Sequence, residues 1–278
     1  MNNFWQRALT GLVFVSIVVG ATLYSKYSFI ALLLFIGLTG VWEYYRIVFQ
    51  NKLKAIHYLF ILLSACVILA PAFDLRILIL LPALFSLTAI QVLLSNERNW
   101  QHVGNLFLAL LYVPVPLMMF YHAIYGAESY IFNAHFECCR SSEISDSAKA
   151  LKALNLFILI WSSDTFAYLA GRAFGKRKLF ERISPKKTWE GFIGGALLTI
   201  AFSVLLANYF HLPLIPNLMI AFLTVVFGTL GDLVESMLKR QYGIKDSGQI
   251  LPGHGGVLDR FDALFISLPF TTLIYYFM

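Results

Sequence analysis

The sequence predicts an all-α polytopic membrane protein: about nine transmembrane helices in one integral domain over 1–278, with the N-terminus in the cytoplasm and the C-terminus outside. Three observations predict it. Hydrophobic residues make up 59% of the chain and mean hydropathy is +0.73, more apolar surface than one 278-residue soluble core buries, so the bilayer must be the solvent. Apolar runs near the length that crosses ~30 Å of hydrocarbon as helix recur along the whole chain. The cations also gather in alternate inter-span segments, as the positive-inside rule requires.

In order, the apolar runs are 9 to 24, 28 to 44, 56 to 72, 77 to 94, 103 to 124, 152 to 170, 191 to 210, 218 to 235 and 262 to 277. The first and last are short and span by tilt or local thinning. The first follows Arg7, but no small-residue cleavage site leads into a soluble polar domain, so it reads as a retained helix. With the N-terminus inside, sixteen of the 21 Lys and Arg residues face the cytoplasm, seven of them between Arg172 and Lys187. Lys26, Arg76, Arg140, Lys149 and Lys152 remain outside. The net charge of +6 is therefore largely a topology signal beside anionic headgroups and requires no nucleic-acid partner. The loop at about 125 to 151 carries Glu128, Glu137, Glu143 and Asp146 and faces outward. Cys66, Cys138 and Cys139 fit no metal spacing or disulfide framework and read as unpaired thiols. No repeat or linker divides the chain.

Acids at membrane depth are costly and point to function. Asp164, in WSSDTFAYLAG, lies inside the sixth run, roughly 10 Å from its cytoplasmic end at ~1.5 Å per residue. Asp232 closes the eighth run, Asp259 and Asp262 open the ninth, and Glu43 ends the second, all at one face. If the eighth helix continues, Asp232, Glu235, Ser236 and Lys239 form one stripe at i, i+3, i+4 and i+7. The glycine-rich GHGGVLDRFD then returns Asp259 toward Asp232. Carboxylate and hydroxyl oxygens suit Mg²⁺, which is usually held by one or two carboxylates plus substrate phosphates. The competing reading is structural ion pairing, Glu235 with Lys239 or Asp259 with Arg260.

The second basic segment, GRAFGKRKLFERISPKKTWEGFIGG, supplies anion-binding chemistry. Lys176 to Lys178 read as ordinary inside-positive charge. In SPKKTWEG, Ser184 and Pro185 suit a turn, Lys186 and Lys187 suit phosphate oxygens, and Thr188 suits the N-cap of the next helix. Gly191, Gly194 and Gly195 suit close helix packing. GRAFGK is one residue short of a Walker A loop and lacks its Ser/Thr, and no zinc pattern occurs among the six histidines.

From Ser236 to Asp262 the chain resembles the signature of the phosphatidate cytidylyltransferases, S-x-x-K-R-x4-K-D-x5-P-G-H-G-G-x-x-D-R-x-D, and DTFAYLAGRAFGK and SPKKTWEGFIGG are also similar to that family. The resemblance implies a catalytic half at about 152–278 and a reaction in which CTP and phosphatidate give CDP-diacylglycerol and pyrophosphate. It implies Mg²⁺ at Asp232, Ser236 and Asp259, without settling whether a second, monovalent cation joins it, and a homodimer in the inner (plasma) membrane with its site toward the cytoplasm. Lys239, Arg240, Lys245, Asp246, His254, Arg260 and Asp262 are then candidates for catalysis. Ser184, Lys186, Lys187, Thr188, Gly253, Gly255, Gly256 and Asp164 are candidates for substrate binding. The nucleophile, a phosphomonoester with a second pKa of about 6, needs no general base at neutral pH. Charge neutralisation and positioning of two polyanions are what such a site must supply. A CTP-dependent polyisoprenoid or lipid kinase uses the same ingredients. An ion-coupled transporter would use Asp164 and Asp232 but has no need of the HGG loop.

Overall fold

A computed structural model describes residues 3–73, 86, 100–126, 145–248, 250, 255–276 and 278. Among them, nine helices and one short hairpin follow in order: α1 (Asn3–Tyr24), α2 (Lys26–Val48), α3 (Ala55–Phe73), α4 (Trp100–Tyr112), α5 (Pro114–Tyr125), α6 (Asp146–Phe174), β1 (Lys178–Phe180), β2 (Ser184–Thr188), α7 (Trp189–Tyr209), α8 (Leu214–Gln241) and α9 (Leu258–Tyr275). Five segments among the described residues are long and apolar enough to cross a membrane: α2, α4 and α5 taken together, α6, α7 and α8. Leu9–Tyr24 and Ala55–Pro71 are shorter apolar helices. The all-α membrane architecture expected from the sequence is present; the run at 77 to 94, apart from residue 86, and most of the 125 to 151 loop, with Cys138 and Cys139, lie outside the described residues.

Two boundaries differ from the sequence reading. α6 begins at Asp146 rather than near 152, because the Ser145 hydroxyl accepts the Ala148 N–H at 3.3 Å and caps a polar first turn that hydropathy alone reads as loop. The expected turn at Ser184 and Pro185 is instead the start of β2, antiparallel to β1 with Lys178 opposite Thr188 and Phe180 opposite Ser184. In a two-stranded ribbon both strands are edges, so Pro185 is accommodated without a backbone donor.

Small residues set the helix spacing on the site side. A Cβ added at Gly195 of α7 would lie 2.8 Å from Ala167 Cα and Cβ on α6, so the two backbones are in contact there. At the crossing of α8 and α9, a Cβ at Gly231 would lie 2.5 Å from the Asp262 carbonyl oxygen and 3.1 Å from Ala263 Cα. Deeper in the bundle, Asn155 of α6 donates to Asn217 Oδ1 of α8 at 2.8 Å, and Asn217 Nδ2 donates to the Ser203 carbonyl of α7 at 2.8 Å, tying all three helices together. α2 is central to the other half: Phe29, Ile36, Val41 and Tyr45 are fully buried, and the Tyr45 hydroxyl donates to the Leu106 carbonyl at 2.8 Å. This packing brings the C-terminal ends of α2, α6 and α8 and the N-terminal ends of α7 and α9 to one end of the bundle.

Candidate active site

At that end a cavity of about 370 Å³ opens between α6, the hairpin, α7 and α8. Its walls carry two acids, Asp164 and Asp232, three cations, Arg172, Lys186 and Lys187, and the rings of Tyr168 and Phe192. The hairpin is locked in place from the start of α7. Thr188 Oγ1 accepts the Gly191 N–H at 3.2 Å, as the cap reading expects, and Glu190 turns back to accept the N–H of Lys176 at 3.0 Å and of Arg177 at 3.1 Å. Lys186 and Lys187 line the cavity, Lys186 exposed and Lys187 half-buried. Lys187 Nζ lies 2.5 Å from Asp232 Oδ2, joining the two segments that the sequence singles out separately. Ser236 Oγ donates to Asp232 Oδ1 at 3.2 Å, one turn along α8. Asp262, across the Gly231 crossing, is close enough to interact electrostatically with Asp232, Asp164 and Lys187.

A second cluster stands beside the first. Lys239 Nζ is 2.6 Å from Asp259 Oδ1 and pairs also with Glu235, so the ion pair read from the i, i+4 spacing is present and extends to a third member. The other Asp259 oxygen accepts the Ser247 N–H at 2.9 Å, the Ser247 hydroxyl at 3.0 Å and the Gly256 N–H at 2.8 Å. Ser247 and Gly256, from two described parts of the signature segment, thus converge on one carboxylate. Gly255 lies at φ +87°, and a Cβ there would sit 2.6 Å from Asp259 Oδ2, so both conformation and space demand glycine.

The remaining candidates sit around these two clusters. Ser184 opens β2 opposite Phe180. Arg240, Lys245, Asp246 and Arg260 are exposed at the same end, with Arg240 donating weakly to the Ile244 carbonyl at 3.4 Å. Gly253 and His254 lie outside the described residues. Two residues carry no mark of their place in the sequence: Arg172, which reads as topological charge, lines the cavity, and Glu43, which reads only as an acid at this face, reaches Ser247 and the start of α9.

The donor set fits a hard divalent cation in a particular way. Among the described residues no three His, Cys, Asp or Glu side chains form a metal cage. Asp164 and Asp232 present carboxylate oxygens to the cavity with Ser236 adjoining, and Mg²⁺ is typically held by one or two carboxylates while substrate phosphates complete its shell. Asp259 has both oxygens engaged, Oδ1 by the Lys239 ammonium and Oδ2 by the Ser247 and Gly256 N–H groups.

The whole described arrangement belongs to a chain that matches the model of the cytidylyltransferase family over residues 5–278. A phosphatidate cytidylyltransferase of Bacillus subtilis is 34% identical over 280 residues, covering 97% of this chain and 97% of that protein. Its counterpart in Staphylococcus haemolyticus is 36% identical over 192 residues, 68% of this chain and 65% of that protein. The Haemophilus influenzae protein of the same name is 44% identical over 131 residues, 45% of this chain and 46% of that protein. With its site assembled from the segments that carry the signature, this chain belongs to the cytidylyltransferase family.

Proposed function

We propose that this chain transfers the cytidylyl group of CTP to phosphatidate, giving CDP-diacylglycerol and pyrophosphate for phospholipid synthesis. The observation that carries the reading is the cavity in which Lys187 of SPKKTWEG meets Asp232 beside Lys186, within a chain similar over nearly its full length to a phosphatidate cytidylyltransferase. A phosphate oxygen of the lipid attacks the α-phosphorus of CTP, a new P–O bond forms, and the α–β bridging bond breaks to release pyrophosphate. With the nucleophile already ionised near neutral pH, the residues lower the barrier by charge neutralisation and alignment. Lys186, Lys187 and Arg172 hold phosphate oxygens, and Lys187 exchanges its contact with Asp232 for one with the substrate. Asp232, Ser236 and Asp259 would hold Mg²⁺, which when bound supplies neutralisation of the triphosphate.

The site faces the cytoplasmic leaflet of the inner membrane, a placement supported by the bias of Lys and Arg toward this end of the bundle. A lipid phosphate held in that leaflet and a nucleotide from the cytosol meet there. Incubating the purified protein with phosphatidate, CTP and Mg²⁺ tests the proposal: CDP-diacylglycerol forms and EDTA suppresses it. Absence of that product with Mg²⁺ present overturns the reading.

A further inference from the structure

Glu43 lies in α2, in the half of the chain that carries none of the signature, and it is fully buried. A buried carboxylate is tolerated where donors surround it. Here Oε1 accepts the Val257 N–H at 3.1 Å, and Oε2 accepts the Leu258 N–H at 2.7 Å and the Ser247 hydroxyl at 2.9 Å. The two amides belong to the opening of α9, where N–H groups have no intrahelical acceptor. Val257, at the N-cap position, offers no side-chain bond, so Glu43 supplies the cap from 215 positions away in sequence. The third donor ties it to Asp259: the Ser247 hydroxyl lies between the two carboxylates, 2.9 Å from Glu43 and 3.0 Å from Asp259. Gly248 and Gly256 both pack so tightly against the Glu43 carboxylate that any Cβ at either position would overlap it.

We propose that Glu43 is a positioning residue for cytidylyl transfer: it holds Ser247 on one side and the start of α9 on the other and, through both, sets the aim of the Asp259 carboxylate. The inference rests on the reading of this chain as a cytidylyltransferase that uses Asp259. Glu43→Gln keeps the side-chain size but sets an NH₂ group against N–H and O–H donors, so Ser247 and the start of α9 lose part of their anchor while the helices around them keep their packing. Ser247→Ala leaves the cap on α9 and the Ser247 N–H on Asp259, and removes only the hydroxyl that links Glu43 to Asp259.

The test compares purified wild type, Glu43→Gln and Ser247→Ala by steady-state kinetics and by hydrogen exchange. In Glu43→Gln, kcat falls about 10–100-fold, the usual range when a residue supporting a ligand is lost, with KM for CTP within about threefold of wild type. Its amides at 256 to 258 exchange faster while those of α6 do not. In Ser247→Ala, kcat falls and the α9 amides stay protected. Wild-type kcat in Glu43→Gln overturns the inference, as does a loss expressed in KM alone. Should Glu43→Gln fail to accumulate, an unchanged kcat in Ser247→Ala overturns it. Wild-type protein that makes no CDP-diacylglycerol overturns the functional reading and the inference together, whereas an active wild type with an equally active Glu43→Gln overturns the inference alone.

Discussion

Lys239→Met removes a charge and keeps an unbranched apolar stem, which isolates what the ammonium does. Lys239 is 13% exposed and stands between Glu235, 1% exposed, and Asp259, 9% exposed. The two acids fare differently without it. Asp259 keeps the N–H groups of Ser247 and Gly256, whereas Glu235 loses the ammonium it pairs with. Breaking a buried pair and leaving one charge uncompensated costs about 3–5 kcal/mol, so Lys239→Met is expected to destabilise the fold by that amount. Replacing both partners with apolar residues of similar size is often close to neutral, so adding Glu235→Met recovers most of the loss and leaves the double variant within about 1–2 kcal/mol of wild type. Reversible unfolding by SDS titration in mixed micelles, followed by circular dichroism, reads all four proteins of the cycle. A Lys239→Met protein within about 1 kcal/mol of wild type, or a double variant less stable than either single one, refutes a buried and mutually dependent pair.

If Asp232 holds Mg²⁺ as proposed, Asp232→Asn abolishes nearly all turnover while expression and membrane insertion persist, because a neutral amide is a far weaker Mg²⁺ ligand than a carboxylate. Lys178→Ala, in an exposed strand position, leaves turnover near wild type, and the pair of assays is read as product formed at saturating Mg²⁺. Gly195→Val pushes α7 off α6 at the 2.8 Å approach to Ala167 and lowers stability by about 1–3 kcal/mol, the usual cost of overpacking, measured by the same SDS titration. Single cysteines placed at Glu181 and at Asp246, in a background without the native thiols, are shielded from an impermeant maleimide in intact cells and labelled in inverted vesicles; labelling of either in intact cells contradicts the shared cytoplasmic face.

The legible parts of this molecule are those governed by local rules. Apolar runs announce most of the helices, Thr188 announces a cap three residues before the N–H it accepts, and the spacing of Glu235 and Lys239 announces their pair. Gly195 is readable as a packing position because bilayer helices approach through small residues. The hairpin is not legible: β1 is three residues long, and its Lys178 looks like any other cytoplasmic cation. Arg172 is concealed for the same reason, since one basic residue in a positive loop carries no mark of the wall it lines. Glu43 touches a loop more than 200 positions away, and nothing in α2 itself names that partner. The grouping of Asp259 with Asp232 and Ser236 is resolved by the structure into two adjoining clusters, because Lys239 and the Ser247 and Gly256 donors claim Asp259 while Lys187 and Ser236 claim Asp232.

The central claim concerns which phosphorus of CTP is attacked, and differentially labelled nucleotide decides it. Cytidylyl transfer and a CTP-dependent lipid kinase both need a cation, a nucleotide and a lipid at this end of the bundle. They differ in the bond that breaks. With purified protein, phosphatidate and Mg²⁺, label in the α-phosphate of CTP enters the lipid fraction, and label in the γ-phosphate leaves as pyrophosphate. Lipid labelled from the γ position, with CDP accumulating in the aqueous phase, contradicts the account.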